Sequence, residues 1–417
     1  FPPYLITSLL MFMNSVLPFL DSELGCTLAA HCIIQSDSEI VVCAASKLLK
    51  SSIVECDERV DLPIPEIIPK LLNLASIVKY KHLTKSVEAL IQMGGESIFP
   101  YINETIAGLL QLCNQSLSEK SYKECSSTLY SMFEIINAIP DDEPILVELS
   151  EMLLPACIDF FNNYPENDSF KDIFLLISVF NTKIDNVTKT MVQAYIQILQ
   201  IIRKDIDIFL NTMDSIAYIM CPIIANPEFK ENSQLIASTV DILMHFIRAC
   251  MNEEDKDNLA YVILIIGTLI QSIGESGFPF ISYVCNALTG VDDKSTTCLF
   301  SACVFAFTSA LIVNAEKAFS MIPKDAIDFI LPKINKSSCQ TYKELKMGII
   351  FLLKATQFGF EDAYALAADE LPALCERKIE NNMNIEAKMA TASELIQDQD
   401  DNEAEFAPLI IPFNLPS

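Results

Sequence analysis

The chain has 417 residues, 51% of them apolar, and its 55 acidic against 28 basic side chains leave a net charge of −27. That charge, with no basic stripe to meet phosphate, weighs against a nucleic-acid partner and favours basic ones, whose encounter it speeds. Glycine is scarce at 10, Trp is absent, and no long apolar/polar alternation of the strand kind occurs, so the chain reads as all-α.

Phe1-Pro2-Pro3-Tyr4-Leu5 reads as a helix start, with proline in the first turn where its missing N–H is no loss. The chain opens there in mid-pattern, without a basic-then-apolar leader, and is expected to be a piece of a longer protein. Further on, Ile64, Ile67, Ile68, Leu71, Leu72, Ala75 and Val78 fall on one face at a period of 3.6. The apolar run Val87–Met93 then stops at Gly94-Gly95, glycine being the residue that tolerates the left-handed end of a helix. Phe99-Pro100-Tyr101-Ile102 opens a new run carrying Ile106, Leu109, Leu110 and Cys113. Leu146, Leu149, Met152, Leu153, Ala156 and Phe160 make another stripe. Ile206, Phe209, Leu210, Met213, Ile216, Ala217 and Met220 read as a single helix.

The Gly94 arrangement returns late in the chain. The run Tyr261–Ile273 stops at Gly274, and Gly274-Glu275-Ser276-Gly277-Phe278-Pro279-Phe280-Ile281 leads into Val284, Cys285 and Leu288. Short polar breaks separate the helices, among them Gln35–Ser38, Ser116–Ser121, Asp141–Pro144, Asn226–Asn232 and Asn335–Thr341, and their Asp, Asn and Ser side chains suit helix capping. A helix–turn–helix unit of about 40 residues, repeated about ten times, predicts an α–α superhelix, a HEAT-type solenoid of antiparallel helix pairs. It is expected to span residues 1–396.

Leu259–Ile273 and Cys298–Val313 are the most apolar stretches. Each is about 15 residues where a membrane-spanning helix needs about 20, so both are expected to be buried inner helices and no membrane partner is expected. After Ile396 the helical face is lost. Residues 397–417 read as an acidic flexible loop and tail.

No catalytic, cofactor or metal set can be assembled from the sequence, so an enzyme is not expected. His31, His82 and His245 lie far apart, and none belongs to a metal-binding spacing. His31 and His245 sit in apolar helical stretches and read as structural. The 14 cysteines form no CxxC and are expected to be mostly buried free thiols. The carboxylate clusters lack calcium-loop spacing. The candidate contacts for a basic partner are Asp398, Asp400, Asp401, Glu403 and Glu405 in the acidic run, and Glu253, Glu254 and Asp255 in a loop.

The run Cys32–Ala45, the helix pair in Ile98–Asn114, and Asp205–Leu210 with Met213-Asp214 resemble the C-terminal half of importin-β superfamily receptors, nearest to the importin seven/eight branch. The order of features agrees onward through Ser276–Ile281 to Lys346–Ile350, and the acidic run lies where that branch carries one. The resemblance implies a HEAT-repeat nuclear transport receptor without a cofactor. Its partners would be basic cargo proteins, the GTPase Ran in its GTP form and Phe-Gly nucleoporins, and it would shuttle between cytoplasm and nucleus through the nuclear pore. The alternative is a HEAT-repeat scaffold or regulatory subunit with no transport role.

Overall fold

The computed structural model describes residues 2–19, 21–56, 60–164, 170–204, 212–253, 256–291, 297–335, 337–339 and 341–390. Among these residues every regular element is a helix. They divide into two compact units, Phe1–Ile184 and Asp185–Ala387.

The first unit holds α1 (Pro3–Ser15), α2 (Ser22–Gln35), α3 (Glu39–Val54), α4 (Ile64–Ala75), α5 (His82–Gly94), α6 (Phe99–Ser118), α7 (Tyr122–Ala138), α8 (Pro144–Asn163) and α9 (Phe170–Lys183). Short links such as Ser36–Ser38 and Glu119–Ser121 make α2/α3 and α6/α7 antiparallel neighbours. The helices α2, α4, α6 and α8 then pack on one another in sequence, and so do α1, α3, α5, α7 and α9. This is a two-layer stack of helix pairs, the α-solenoid arrangement. In it, α1 belongs to the odd layer and packs on α3.

The second unit repeats the scheme with α10 (Lys189–Ile202), α11 (Met213–Ala225), α12 (Ser233–Glu253), α13 (Lys256–Ile273), α14 (Ile281–Leu288), α15 (Thr297–Met321), α16 (Lys324–Ile330), α17 (Tyr342–Gln357) and α18 (Asp362–Ala390). One layer stacks α11, α13, α15 and α17, and the other pairs α10 with α12. The protein is therefore an all-α helical-repeat solenoid.

The repeat length is written in the hydrogen bonds. Ser86 Oγ lies 2.6 Å from the Ser46 carbonyl oxygen, and Gln115 Nε2 donates to the Ser76 carbonyl. Tyr195 Oη pairs with Thr239 Oγ1 at 2.9 Å, and Thr308 Oγ1 approaches the Met347 carbonyl at 3.3 Å. These partners lie 39–44 residues apart, one helix pair along the chain.

Both glycine-marked links fall at one place in the repeat, between the second helix of one pair and the first of the next. Gly95 has φ +54° and Gly274 has φ +66°, the left-handed side that glycine alone adopts cheaply. The bridge in each case is a short 3-10 turn, Gly95–Ile98 or Gly274–Phe280. Pro100 takes its expected place in the first turn of α6. Pro279, in contrast, stays inside the 3-10 turn and α14 begins at Ile281.

Other expectations shift at the edges. In α4 the buried face is Ile64, Ile67, Ile68, Leu71 and Leu74, so Leu74 replaces Leu72 and Ala75, and Val78 lies beyond the helix. The helix read across Ile206–Met220 is described only from Met213, and residues 205–211 lie outside the described residues. Capping is selective. Asp21, Thr188 and Thr341 cap α2, α10 and α17, and Asn232 Oδ1 accepts from Leu235 N, whereas Ser38 and Ser121 make no cap bond.

The two most apolar stretches lie within longer helices than the sequence pattern gave them. By length and composition Lys256–Leu288 and Cys298–Met321 are long and apolar enough to cross a membrane, as is Ser233–Met251. Their hydropathy has a local account, because 67% and 72% of the first two most apolar windows are buried. Leu259 to Ile270 is buried without interruption, and the run from Cys298 ends at Asn314, where α15 kinks through extended backbone (φ −157°). Asn314 Oδ1 caps the second half by accepting from Lys317 N.

Candidate partner-binding surface

No group of three or more His, Cys, Asp and Glu side chains is placed to hold a metal among the described residues. His31 and His245 sit on α2 and α12 as expected, but on exposed faces rather than in the core. Apolar neighbours three and four residues away do not bury a helical side chain that points the other way. His245 Nδ1 lies 2.7 Å from the Asp241 carbonyl oxygen.

The cysteines are free, eight of them buried and Cys375 exposed. Burial pushes the Cys26, Cys157, Cys221 and Cys339 thiols up to about 12, which holds them protonated and poor as nucleophiles. Cys113 and Cys125 face each other with sulfurs 3.0 Å apart, joining α6 to α7.

Of the residues expected to meet a basic partner, Glu253 is the last residue of α12. Glu254, Asp255, Asp398, Asp400, Asp401, Glu403 and Glu405 lie outside the described residues.

The structure adds a polar band that sequence reading missed, along α5, α7 and α9 of the first unit. Lys85 Nζ is 2.8 Å from Glu88 Oε2 and 4.8 Å above the Tyr130 ring. Burial and the neighbouring Glu134 carboxylate raise the Tyr130 hydroxyl, and Ser126 donates to Asp172. Burial raises the Glu88 and Asp172 carboxyls above the usual range, and it outweighs Lys85 in the case of Glu88. The trace in the sequence is spacing, since Ser126 and Asp172 are 46 residues apart, one repeat length.

Two grooves open in the second unit. One, about 230 Å³, lies between α10 and α12 and is lined by Ile196, Leu199, Arg203, Leu235 and Ile242. Arg203 is held at its edge by Asp241 at 3.1 Å. The other, about 460 Å³, lies beside Lys230, Ser233, Ser272 and Ser276. The first unit also exposes apolar side chains on α1, including Tyr4, Leu5, Leu9 and Phe12.

No protein-family model and no curated protein matches the sequence. Among solved structures the chain is similar to a circular tandem repeat protein with novel repeat topology and enhanced subunit contact surfaces. The identity is 12%, with 92% of this chain and 87% of that chain covered at a TM-score of 0.27. The class stated above, an all-α helical-repeat solenoid, stands on this chain's own helices.

Proposed function

We propose that the chain is part of a nuclear transport receptor of the importin-β type, which holds basic protein cargo along its stacked helices. The observation that carries this reading is the combination of two-layer helical stacking with a net charge of −27. Stacked helix pairs offer a long face to a bulky partner, and negative charge along it raises the association rate of a basic one. The resemblances in Cys32–Ala45 and Ile98–Asn114 fall on the α2/α3 pair and on α6, the repeating units of the fold. In this reading each repeat contacts only its neighbours, so small rotations add up to a change in curvature that releases cargo. The GTP form of Ran drives that change, and Phe-Gly nucleoporins carry the receptor through the pore.

The test is a titration of a basic nuclear protein against the full-length product, with and without GTP-loaded Ran. Cargo binding abolished by GTP-loaded Ran supports an import receptor, and binding strengthened by it points to export. Binding indifferent to Ran, with no direct Ran contact, replaces this reading by that of a scaffold subunit.

A further inference from the structure

The hairpin of α6 and α7 brings two cysteines together in the core of the first unit. Cys113 lies near the end of α6 and Cys125 in the opening turn of α7. The turn between them is fixed by its own hydrogen bonds. Lys120 takes φ +57° and donates its N–H to the Leu117 carbonyl at 3.0 Å, and Ser121 N donates to the Ser116 carbonyl at 2.8 Å. Lys79 holds the turn from outside, with Nζ 2.7 Å from Ser121 Oγ and 2.9 Å from Glu119 Oε2. Both cysteines have 0% exposure, and their sulfurs stand 3.0 Å apart across 12 residues of chain. A closed core and a pinned turn keep each sulfur at high effective concentration for the other. The hydrogen bond to Cys125 and burial hold the Cys113 thiol well above the ordinary range, so the reduced pair is slow to react while the fold is closed.

We infer that Cys113 and Cys125 are a redox-modification site, which closes to a disulfide between α6 and α7 when the chain meets a small hydroperoxide. One thiol loses its proton as its sulfur takes the terminal oxygen of the hydroperoxide; the O–O bond breaks and an alcohol or water leaves. The other sulfur then attacks this sulfenic sulfur, the S–O bond breaks, and water leaves with the second thiol proton. Two thiols are oxidised by two electrons in all, and the hydroperoxide is reduced by the same two. Closing the bond moves the sulfurs together by about 1 Å. The closed form ties the two helices of one repeat covalently, so it resists opening of that repeat until a thiol reductant restores the pair. The inference rests on the fold alone and is the same for a transport receptor and for a scaffold.

The intact chain is held in hydrogen peroxide, at room temperature and then just below its melting temperature. Free thiols are blocked during denaturation, and unreduced peptides are mapped by mass spectrometry. Peptides carrying Cys113 and Cys125 should be found linked, later than the reaction of the exposed Cys375, and dithiothreitol should release both thiols. Hydrogen exchange of the amides around Cys113 and Cys125 should slow at least tenfold on oxidation and recover on reduction. Cys125→Ala should abolish both the link and the slowed exchange, and Cys113→Ala serves if that variant misfolds. Cys113 and Cys125 still free after Cys375 is fully oxidised at both temperatures overturns the site. So does a link from either of them to the buried Cys157 of α8 instead, or a Cys113–Cys125 link that forms only in denaturant.

Discussion

The residues that hold successive repeats in register are small polar groups buried in an apolar interior. Tyr195 is fully buried and its hydroxyl meets Thr239, also fully buried, one repeat on. Tyr195→Phe leaves the Thr239 hydroxyl without this partner and should cost about 1–3 kcal/mol in chemical denaturation. Adding Thr239→Val should restore most of the loss, since two apolar groups of matching shape leave nothing unsatisfied. His82 gives a pH-dependent counterpart. Burial and the charges of Lys47, Lys81 and Lys50 hold its pKa below the ordinary 6.5. A depressed histidine contributes stability above the unfolded value, and that contribution is lost as pH falls through the folded one. The fall in melting temperature from about pH 7 to about pH 5 should therefore be shallower in His82→Gln than in the parent. Glu88 has the opposite sign: its carboxyl is raised, so its contribution is present below the ordinary 4.5 and is lost as pH rises. Glu88→Gln should hold or raise the melting temperature at neutral pH, and a clear drop there would show that Lys85 outweighs burial.

At the scale of elements, the links between repeats depend on backbone that only glycine supplies cheaply. Gly95 has φ +54° and open space where a Cβ would go, so Gly95→Ala costs conformational strain alone, about 1–3 kcal/mol. Gly277 is limited by space instead, because its Cβ would stand 3.0 Å from the Ile270 Cα, backbone that cannot swing aside. Gly277→Ala should shift the α13–α14 link as well as lower stability, and hydrogen exchange at Ile270 and its neighbours would report the shift. Thr341 and Glu344 cap α17 reciprocally. Thr341→Ala should cost about 1 kcal/mol by thermal melting. The glycine positions were legible from sequence because each stands where an apolar run breaks. The capping pattern was less so, since Ser38 and Ser121 occupy the right positions and make no cap bond.

At the scale of the whole molecule, charge and stacking together govern what the proposed receptor would hold. Affinity for a basic protein should fall steeply as salt rises, because screening removes attraction between exposed charges first. Replacing Asp398, Asp400, Asp401, Glu403 and Glu405 by Ser should weaken that binding severalfold at low salt; unchanged affinity would remove the acidic run from the contact. Hydroxyls that bond one repeat away, such as Ser86 to Ser46, couple neighbours without coupling distant repeats. Such a stack bends by small increments.

The sequence by itself determined the helical class, the repeat and its length, and the glycine-marked boundaries. Each of these rests on local backbone preference and on apolar periodicity, which act within one or two helices. It also located the two buried runs, Leu259 onward and Cys298 to Val313, and the kink at Asn314 falls where the second run ends. The tertiary structure alone decided which polar groups meet. Lys47 and Lys50 bear electrostatically on His82, and Lys85 lies over Tyr130, because α3, α5 and α7 stack side by side. It likewise turned His31 and His245 outward from helices whose other faces are core. Contacts across the stack depend on how each helix is rotated against the next, and no single helix carries that information.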